Sequence, residues 1–384
     1  MREIAIVTLN GYSNYGNRLQ NYAVQEVLKS LGFYAETLLV NNKKNKQKTN
    51  NTSFVDRVRN AKGKPINKFL QQIEINLWSR LRKNEINMCK LARKEIFKEF
   101  TKKYIVETKF VIFDNNIPED LVKQYDYFVV GSDQVWNPAY ISGSSIYFLT
   151  FAPRAKRISF SPSFGVSKIE PEYSEKYKEW ISGINKLSVR EDDGAKIIKG
   201  LTGRDAPVLV DPTFLITKEK WLSIAREANN KPKGDYLLTY FLGGLSDNYE
   251  SEIKTIAKAK KLEVINLNKI REKITYRTGP SEFIDYINSC SLFCTDSFHG
   301  TVFSILMEKP FVVYERRGSD LSMFSRVNTL LDKFDLNSRK ADNIKMNEAA
   351  FDIDFSHVAP ILELERKKVF DYLKEALNVK DGIH

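Results

Sequence analysis

"SLFCTDSFHGTVFSILMEKPFVVY", residues 291–314, reads as strand, helix and strand in that order. The apolar run at 292–295 is short and bounded by polar residues, which suits a buried strand. From 298 to 309 the apolar side chains recur at helical spacing, and "PFVVY" returns to a β-rich run. Strands joined through a helix run parallel, so this stretch predicts an α/β fold. Ser297 is placed to cap the helix, which puts His299 in its first turn. There the backbone N–H groups are unpaired and the dipole is positive. Such an end attracts anions, phosphate above all, and disfavours a protonated imidazole. Gly300 would let a second backbone or a ligand come close. The plainer alternative is a structural histidine bonded to a neighbouring carboxylate such as Asp296.

The same alternation extends in both directions. "EIAIVTL" (3–9) reads as a strand, 17–31 as a helix and "YAETLLV" (34–40) as a second strand. Further strands follow in "DYFVVG", "RISFSPSFG", "KLSVRE" and "PVLVDPTFL", with a helix over 192–200. "WLSIAREANNKPKGD" (221–235) reads as a linker, after which "YLLTYFLG" and "LEVINL" restart the pattern, with helices at 249–261 and 281–290. The expected organisation is a Rossmann-like domain over 1–215 and a second over 216–355. A C-terminal segment, 356–384, carries an amphipathic helix from Val358 to Leu377 that packs back on the first domain. A cleft between the carboxyl ends of two parallel sheets is where ligands of open α/β folds sit.

At 384 residues the chain is long enough for two domains. No apolar run approaches the ~20 residues of a membrane span, and "MREIAIVTLN" reads as a strand rather than a signal peptide. Three cysteines, Cys89, Cys290 and Cys294, form no disulfide pattern and suit a reducing cytoplasm. Positive charge is concentrated: residues 41–109 hold 19 Lys and Arg against 6 Asp and Glu, a surplus that exceeds the net +12 of the whole chain. Such an insertion suits an anionic membrane surface, which would place the protein peripherally at the inner face of the cytoplasmic membrane. It also reads as a solvated surface insertion (41–51) followed by a core-facing helix, with Ile66, Phe69, Leu70, Ile73, Leu77 and Leu81 at helical spacing. With no DNA-binding motif and the charge so confined, nucleic acid is not an expected partner.

Three more stretches follow strands. "LNGYSNYGNRLQNYAVQ" (9–25) offers the side-chain amides of Asn14, Asn17, Gln20 and Asn21, which suit sugar hydroxyls or phosphate. It is not a dinucleotide fingerprint, because G-x-G-x-x-G is absent. "VVGSDQVWNP" (129–138) places Asp133 as a candidate general base and Trp136 as a flat face for a sugar ring. "SVRED" and "YERRGSDLSMFSR" supply Arg190, Arg316, Arg317 and Arg326, whose forks match phosphate and carboxylate. The structural alternatives are a capped turn, a buried tryptophan and surface ion pairs. Cys290, Cys294 and His299 are too few and too poorly spaced for zinc, so no metal site is expected.

Together, "NYGNRLQNYAV", "GSDQVWNP", "SVRE", "VLVDPTFL" and "TDSFHGTVFSI" followed by "KPF" resemble the polysaccharide pyruvyl transferase family, in order over most of residues 1–330. The resemblance implies two Rossmann-like domains similar to the twin-domain (GT-B-like) glycosyltransferase fold. It also implies phosphoenolpyruvate as donor without a further cofactor, and a sugar diol, polymeric or lipid-linked, as acceptor. The products would be a pyruvate ketal and phosphate. His299 then matches the motif histidine and is the expected general acid, with Asp133 as base. Arg190, Ser297, Gly300, Thr301, Arg316 and Arg326 are expected on the donor side. Asn14, Tyr15, Asn17, Gln20, Ser132, Trp136 and Asn137 are expected on the acceptor side. Many members carry Arg-Leu-His-Gly where this chain has Ser297-Phe298-His299-Gly300, so Arg190 or Arg326 must take more of the load. Two other readings stand beside this one: a glycosyltransferase of the same fold using a nucleotide sugar, and a non-catalytic carbohydrate-binding protein of capsule assembly. The nucleotide-sugar enzymes often carry a Glu pair in the second domain, and none follows "TDSFHG" here.

Overall fold

Ile4 to Val7 are apolar and fully buried, the pattern of a strand covered on both faces. This strand, β1 (Arg2–Val7), lies inside a five-stranded sheet with β2 (Phe33–Val40), β3 (Glu107–Ile112), β4 (Tyr127–Val130) and β5 (Arg157–Ser159). The order is β3-β2-β1-β4-β5, and every pairing is parallel. A second parallel sheet has the order β7-β6-β8-β9, with β6 (Tyr236–Tyr240), β7 (Glu263–Asn266), β8 (Leu292–Thr295) and β9 (Phe311–Val313). The computed structural model describes residues 1–41, 81–141, 143–316 and 324–379. The expected apolar stripe from Ile66 to Leu77 lies outside them, as does Arg317.

Nine helices concern the argument: α1 (Tyr15–Ser30), α2 (Lys83–Tyr104), α3 (Asp192–Thr202), α4 (Lys218–Ile224), α5 (Asp247–Ala259), α6 (Pro280–Ser289), α7 (Phe298–Leu306), α8 (Ser325–Lys333) and α9 (Val358–Ala376). The α1 helix is buried on nearly all sides because it is wedged between its own sheet and the helices of the second. Tyr15 stacks on Phe283 of α6 at 4.1 Å, and its hydroxyl donates to Thr278 O at 3.0 Å. Tyr22 meets Trp221 of α4 at 5.4 Å, and Trp221 in turn meets Phe303 of α7 at 4.9 Å. One apolar core therefore runs from the first sheet through α1 into the second sheet without a break.

The structure departs from the sequence expectations at three places. The expected linker contains α4, capped by the Thr217 hydroxyl accepting from Lys220 N at 3.2 Å, because Trp221 there fills the core. β5 ends at Ser159, since Ser161 takes a left-handed φ of 47° and Pro162 has no N–H to donate. "KLSVRE" and "PVLVDPTFL" pair only through single bridges, Ile158 with Lys186 and Val189 with Val208. The α9 helix hydrogen-bonds both to the first sheet, Tyr372 Oη to Ser159 O at 2.7 Å, and to Phe214 O through Arg366 Nε at 2.8 Å.

Candidate active site at the junction of two helix starts

The β1–α1 turn begins the site. Asn14 caps α1 by accepting from Asn17 N at 3.4 Å. Gly16 follows, and its missing side chain is occupied by another residue: a Cβ there would stand 2.2 Å from His299 Nδ1. His299 opens α7 behind its own cap, Ser297, which accepts from Gly300 N at 3.2 Å. The starts of α1 and α7 thus face each other across one imidazole, and both carry positive backbone ends.

The β4 strand delivers the carboxylates. Gly131 leaves it at φ 121°, and a Cβ there would clash with Phe160 O at 2.2 Å, so only glycine makes this turn. Asp133 follows, also left-handed at φ 68°. Its Oδ2 accepts from Asn17 Nδ2, its Oδ1 from Gln134 N at 2.9 Å, and Arg190 Nη2 stands 3.5 Å from Oδ1. Burial works against its ionisation, but the charges of His299, Arg190 and Arg326 prevail and hold it below the usual carboxylate range. That makes Asp133 a poor proton acceptor. Its partners stabilise the ionised form, so the expected general base stands as a carboxylate held by Asn17 and Arg190.

Asp211, at the end of "VLVD", is the residue that the sequence reading left unassigned. Its Oδ2 takes Arg190 Nη1 at 2.5 Å and lies 2.9 Å from Ser132 Oγ. Its Oδ1 accepts from Thr213 N at 3.0 Å and from Thr213 Oγ1 at 2.7 Å. His299 Nε2 stands 3.5 Å from Oδ2, in ion-pair contact but without hydrogen-bond alignment, and Nε2 is buried with no hydrogen-bond partner. Despite burial, the charges of His299 and then Arg190 hold Asp211 far below the ordinary aspartate value. The carboxylate beside His299 is therefore Asp211. Asp296 instead accepts from Leu242 N and Gly243 N, each at 2.7 Å, and pairs with Arg316 Nε at 3.4 Å.

Two guanidiniums flank Phe298: Arg190 at 4.2 Å from the ring centre and Arg326, from α8, at 5.6 Å. Arg190 is neutralised by the two aspartates. Arg326 is 4% exposed and has no hydrogen bond or ion pair among the described residues, and its Nε is buried without a partner. Burial and then the neighbouring Arg190 push its pKa down to about 10. Glu191 lies behind this cluster, its Oε1 accepting from Ser163 Oγ, Phe164 N and Gly165 N at 3.0, 2.8 and 3.2 Å.

Several expected contacts are spent elsewhere. Trp136 is fully buried, stacked on Phe148 at 5.6 Å with its Nε1 donating to Tyr147 O, so no face is left for a sugar. Tyr15 is committed to Phe283. Gln20 donates to Thr8 Oγ1 at 2.8 Å, and Asn137 donates to Gln134 Oε1 at 2.9 Å. Thr301 donates back to Ser297 O at 3.1 Å. Gly300 packs on β8, where a Cβ would come 2.9 Å from Thr295 Oγ1, and so serves helix–strand contact rather than a ligand. His299, Asp133, Arg190, Arg326, Ser132 and Asn17 are the expected residues that do converge. Asp211 directly follows the apolar run 208–210, a position of the same kind as those that drew attention to Ser132, Asp133 and Arg190, and Gly16 carried no such signal. Among the described residues no cluster of His, Cys, Asp and Glu is arranged to hold a metal ion.

A model of the family described as polysaccharide pyruvyl transferase matches residues 14–317. The chain belongs to that family. It is accordingly a transferase of polysaccharide biosynthesis, with a sugar-bearing acceptor, and the matched span includes every site residue named above except Arg326. Among solved structures, the chain is similar to a putative UDP-N-acetylglucosamine 2-epimerase from Listeria monocytogenes, at 10% identity, TM-score 0.49, and 97% and 90% coverage of the two chains. It is also similar to the Methanocaldococcus jannaschii UDP-GlcNAc 2-epimerase in complex with UDP-GlcNAc and UDP, at 10% identity, TM-score 0.46, and 98% and 100% coverage. The Escherichia coli ADP-heptose LPS heptosyltransferase II follows at 12% identity, TM-score 0.35, and 96% and 99% coverage. No functionally curated protein matches the chain significantly. No helix among the described residues is long and apolar enough to cross a membrane.

Proposed function

We propose that the protein transfers the pyruvyl group of phosphoenolpyruvate to two hydroxyls of one sugar, forming a ketal and releasing phosphate. The observation that carries this reading is Arg326, a buried guanidinium with no hydrogen bond or ion pair among the described residues, beside Phe298 at the α7 start, where His299 Nε2 has no hydrogen-bond partner among them. A buried charge persists only where a partner compensates it, and here the partner is the anionic donor. Phosphoenolpyruvate brings a phosphate and a carboxylate, which Arg326, Arg316 and the α7 N-terminus are placed to hold.

His299 in its protonated form gives its proton to C3 of the enol, and C2 becomes electrophilic. Asp211 and Asp133 hold negative charge beside the imidazolium and the developing cation. The first sugar hydroxyl bonds to C2 and passes its proton to the now neutral His299. The C2–O bond to phosphorus-bearing oxygen breaks, and the second hydroxyl closes the ketal, its proton leaving with phosphate. Thermal denaturation with phosphoenolpyruvate or a nucleotide sugar tests the donor. Stabilisation by phosphoenolpyruvate, lost in Arg326→Ala through a binding penalty of about 1.5–3 kcal/mol, is expected. His299→Ala should keep the fold and lower transfer about 10²–10⁴-fold. Stabilisation by the nucleotide sugar alone would move the protein to the competing glycosyl-transfer reading.

A further inference from the structure

The acceptor groups expected on the first sheet are largely spent in internal contacts, which raises the question of where a glycan longer than one sugar would lie. A cavity of about 440 Å³ opens at the carboxyl ends of β6 and β7. That volume lies within the range of small-molecule sites, and the carboxyl edge of a parallel sheet is where such sites form. One hydrogen-bonded loop links it to the candidate site. Leu242 and Gly243 form part of its wall, and their N–H groups hold the carboxylate of Asp296, three positions before His299. A ligand there shares one loop with the segment that carries the catalytic histidine and Arg316.

The lining states what the ligand is. Phe241, Leu242, Leu245 and Val264 supply apolar surface, and Leu242 and Val264 are 36% and 38% exposed. Asn266 and Asn268 supply amides. The charged residues cancel: Lys254 pairs with Glu250 at 2.9 Å, and Lys269 with Glu272 at 3.8 Å. Among the described residues no unpaired cation lines it for a phosphate, in contrast to Arg326. Apolar patches beside amides and balanced charges fit a neutral pyranose, which has C–H faces and a ring of hydroxyls.

We propose that this cavity is the subsite for a neutral sugar unit of the acceptor next to the one that receives the pyruvyl group. The inference rests on the pyruvyl-transfer reading for the identity of the acceptor, but its test is separate. Labelled protein is applied to an array of neutral mono- to tetrasaccharides. Binding should require at least two sugar units, should survive in His299→Ala, and should fall tenfold or more in Val264→Trp, which fills the cavity. Lys254→Trp, at an exposed helix position, should reproduce the loss if the strand variant folds poorly. Both variants should retain the thermal stabilisation by phosphoenolpyruvate, so loss of donor binding in wild-type protein would count against the reaction and not against the cavity. The proposal is overturned by three results: no glycan of two or more units bound, glycan binding unchanged in both tryptophan variants, or stabilisation by UDP that either variant abolishes.

Discussion

Gly16 shows how one absent side chain can set the place of another. Its Cα surface is the wall against which the His299 ring rests, and any Cβ would come 2.2 Å from Nδ1. The position is inside a helix start, where alanine suits the backbone, so Gly16→Ala should still fold, at a cost of about 1–3 kcal/mol for the overpacking against a buried ring. The ring, however, must move. A displacement near 1 Å at a proton-transfer group costs about 10²-fold in rate. We expect turnover of Gly16→Ala to fall by about that factor, while phosphoenolpyruvate binding, which in the proposed function depends on Arg326 and the α7 amides, changes little. Wild-type turnover in this variant would mean that His299 does not need the position it occupies.

At the scale of elements, α2 is the described part of the basic region. Its inner face buries Cys89, Arg93, Phe97 and Phe100. Arg93 reaches from it to Ser13 O before α1, and to Leu267 O in the second sheet's half, at 3.2 and 3.3 Å. Its outer face exposes Lys83, Lys90, Lys94 and Lys98, along with Met88 at 64% and Leu91 at 55%. As a proposal, this face meets anionic lipid, each lysine near the surface contributing about 1 kcal/mol. Co-sedimentation with anionic vesicles should then be strong at low salt, weak at high salt and absent with neutral vesicles. Equal recovery in the supernatant with both vesicle types at low salt would leave α2 as a domain-joining helix alone.

At the scale of the molecule, Asp211 ties the two sheets' halves together, holding Arg190 and Ser132 from one side and facing His299 from the other. Asp211 and Asp133 both have folded-state pKa values below those of ordinary aspartates. A depressed carboxylate adds stability that is fully present above its unfolded value, about 3.9, and that is lost as pH falls towards the folded value. Urea unfolding between pH 5 and 3 should therefore show stability falling by up to about 1.4 kcal/mol per pH unit for each such group. Asp211→Asn should be less stable at pH 6 yet show a shallower slope below pH 4. Parallel slopes for the two proteins would show that Asp211 is not held ionised by its neighbours.

Much of this was determined along the chain itself. The alternation of short apolar runs with helical periodicity settles parallel sheets, because burial on both faces leaves no polar position in strands such as Ile4–Val7. The cap at Ser297 settles that His299 opens a helix, since capping is a matter of neighbours three residues apart. Family membership rests on the same local motifs. What only the tertiary structure decided is which side chains remain free to act. Trp136 and Tyr15 look like ligand surfaces in sequence, but the core takes them, because their apolar area is worth more buried against Phe148 and Phe283. Arg190 and Arg326 look alike in sequence, yet Asp211, 21 residues beyond Arg190, pairs with one, while the other has no ion pair among the described residues. Periodicity and capping act between residues close in the chain, whereas charge compensation and steric fit act between residues that only folding makes neighbours, as with Gly16 and His299.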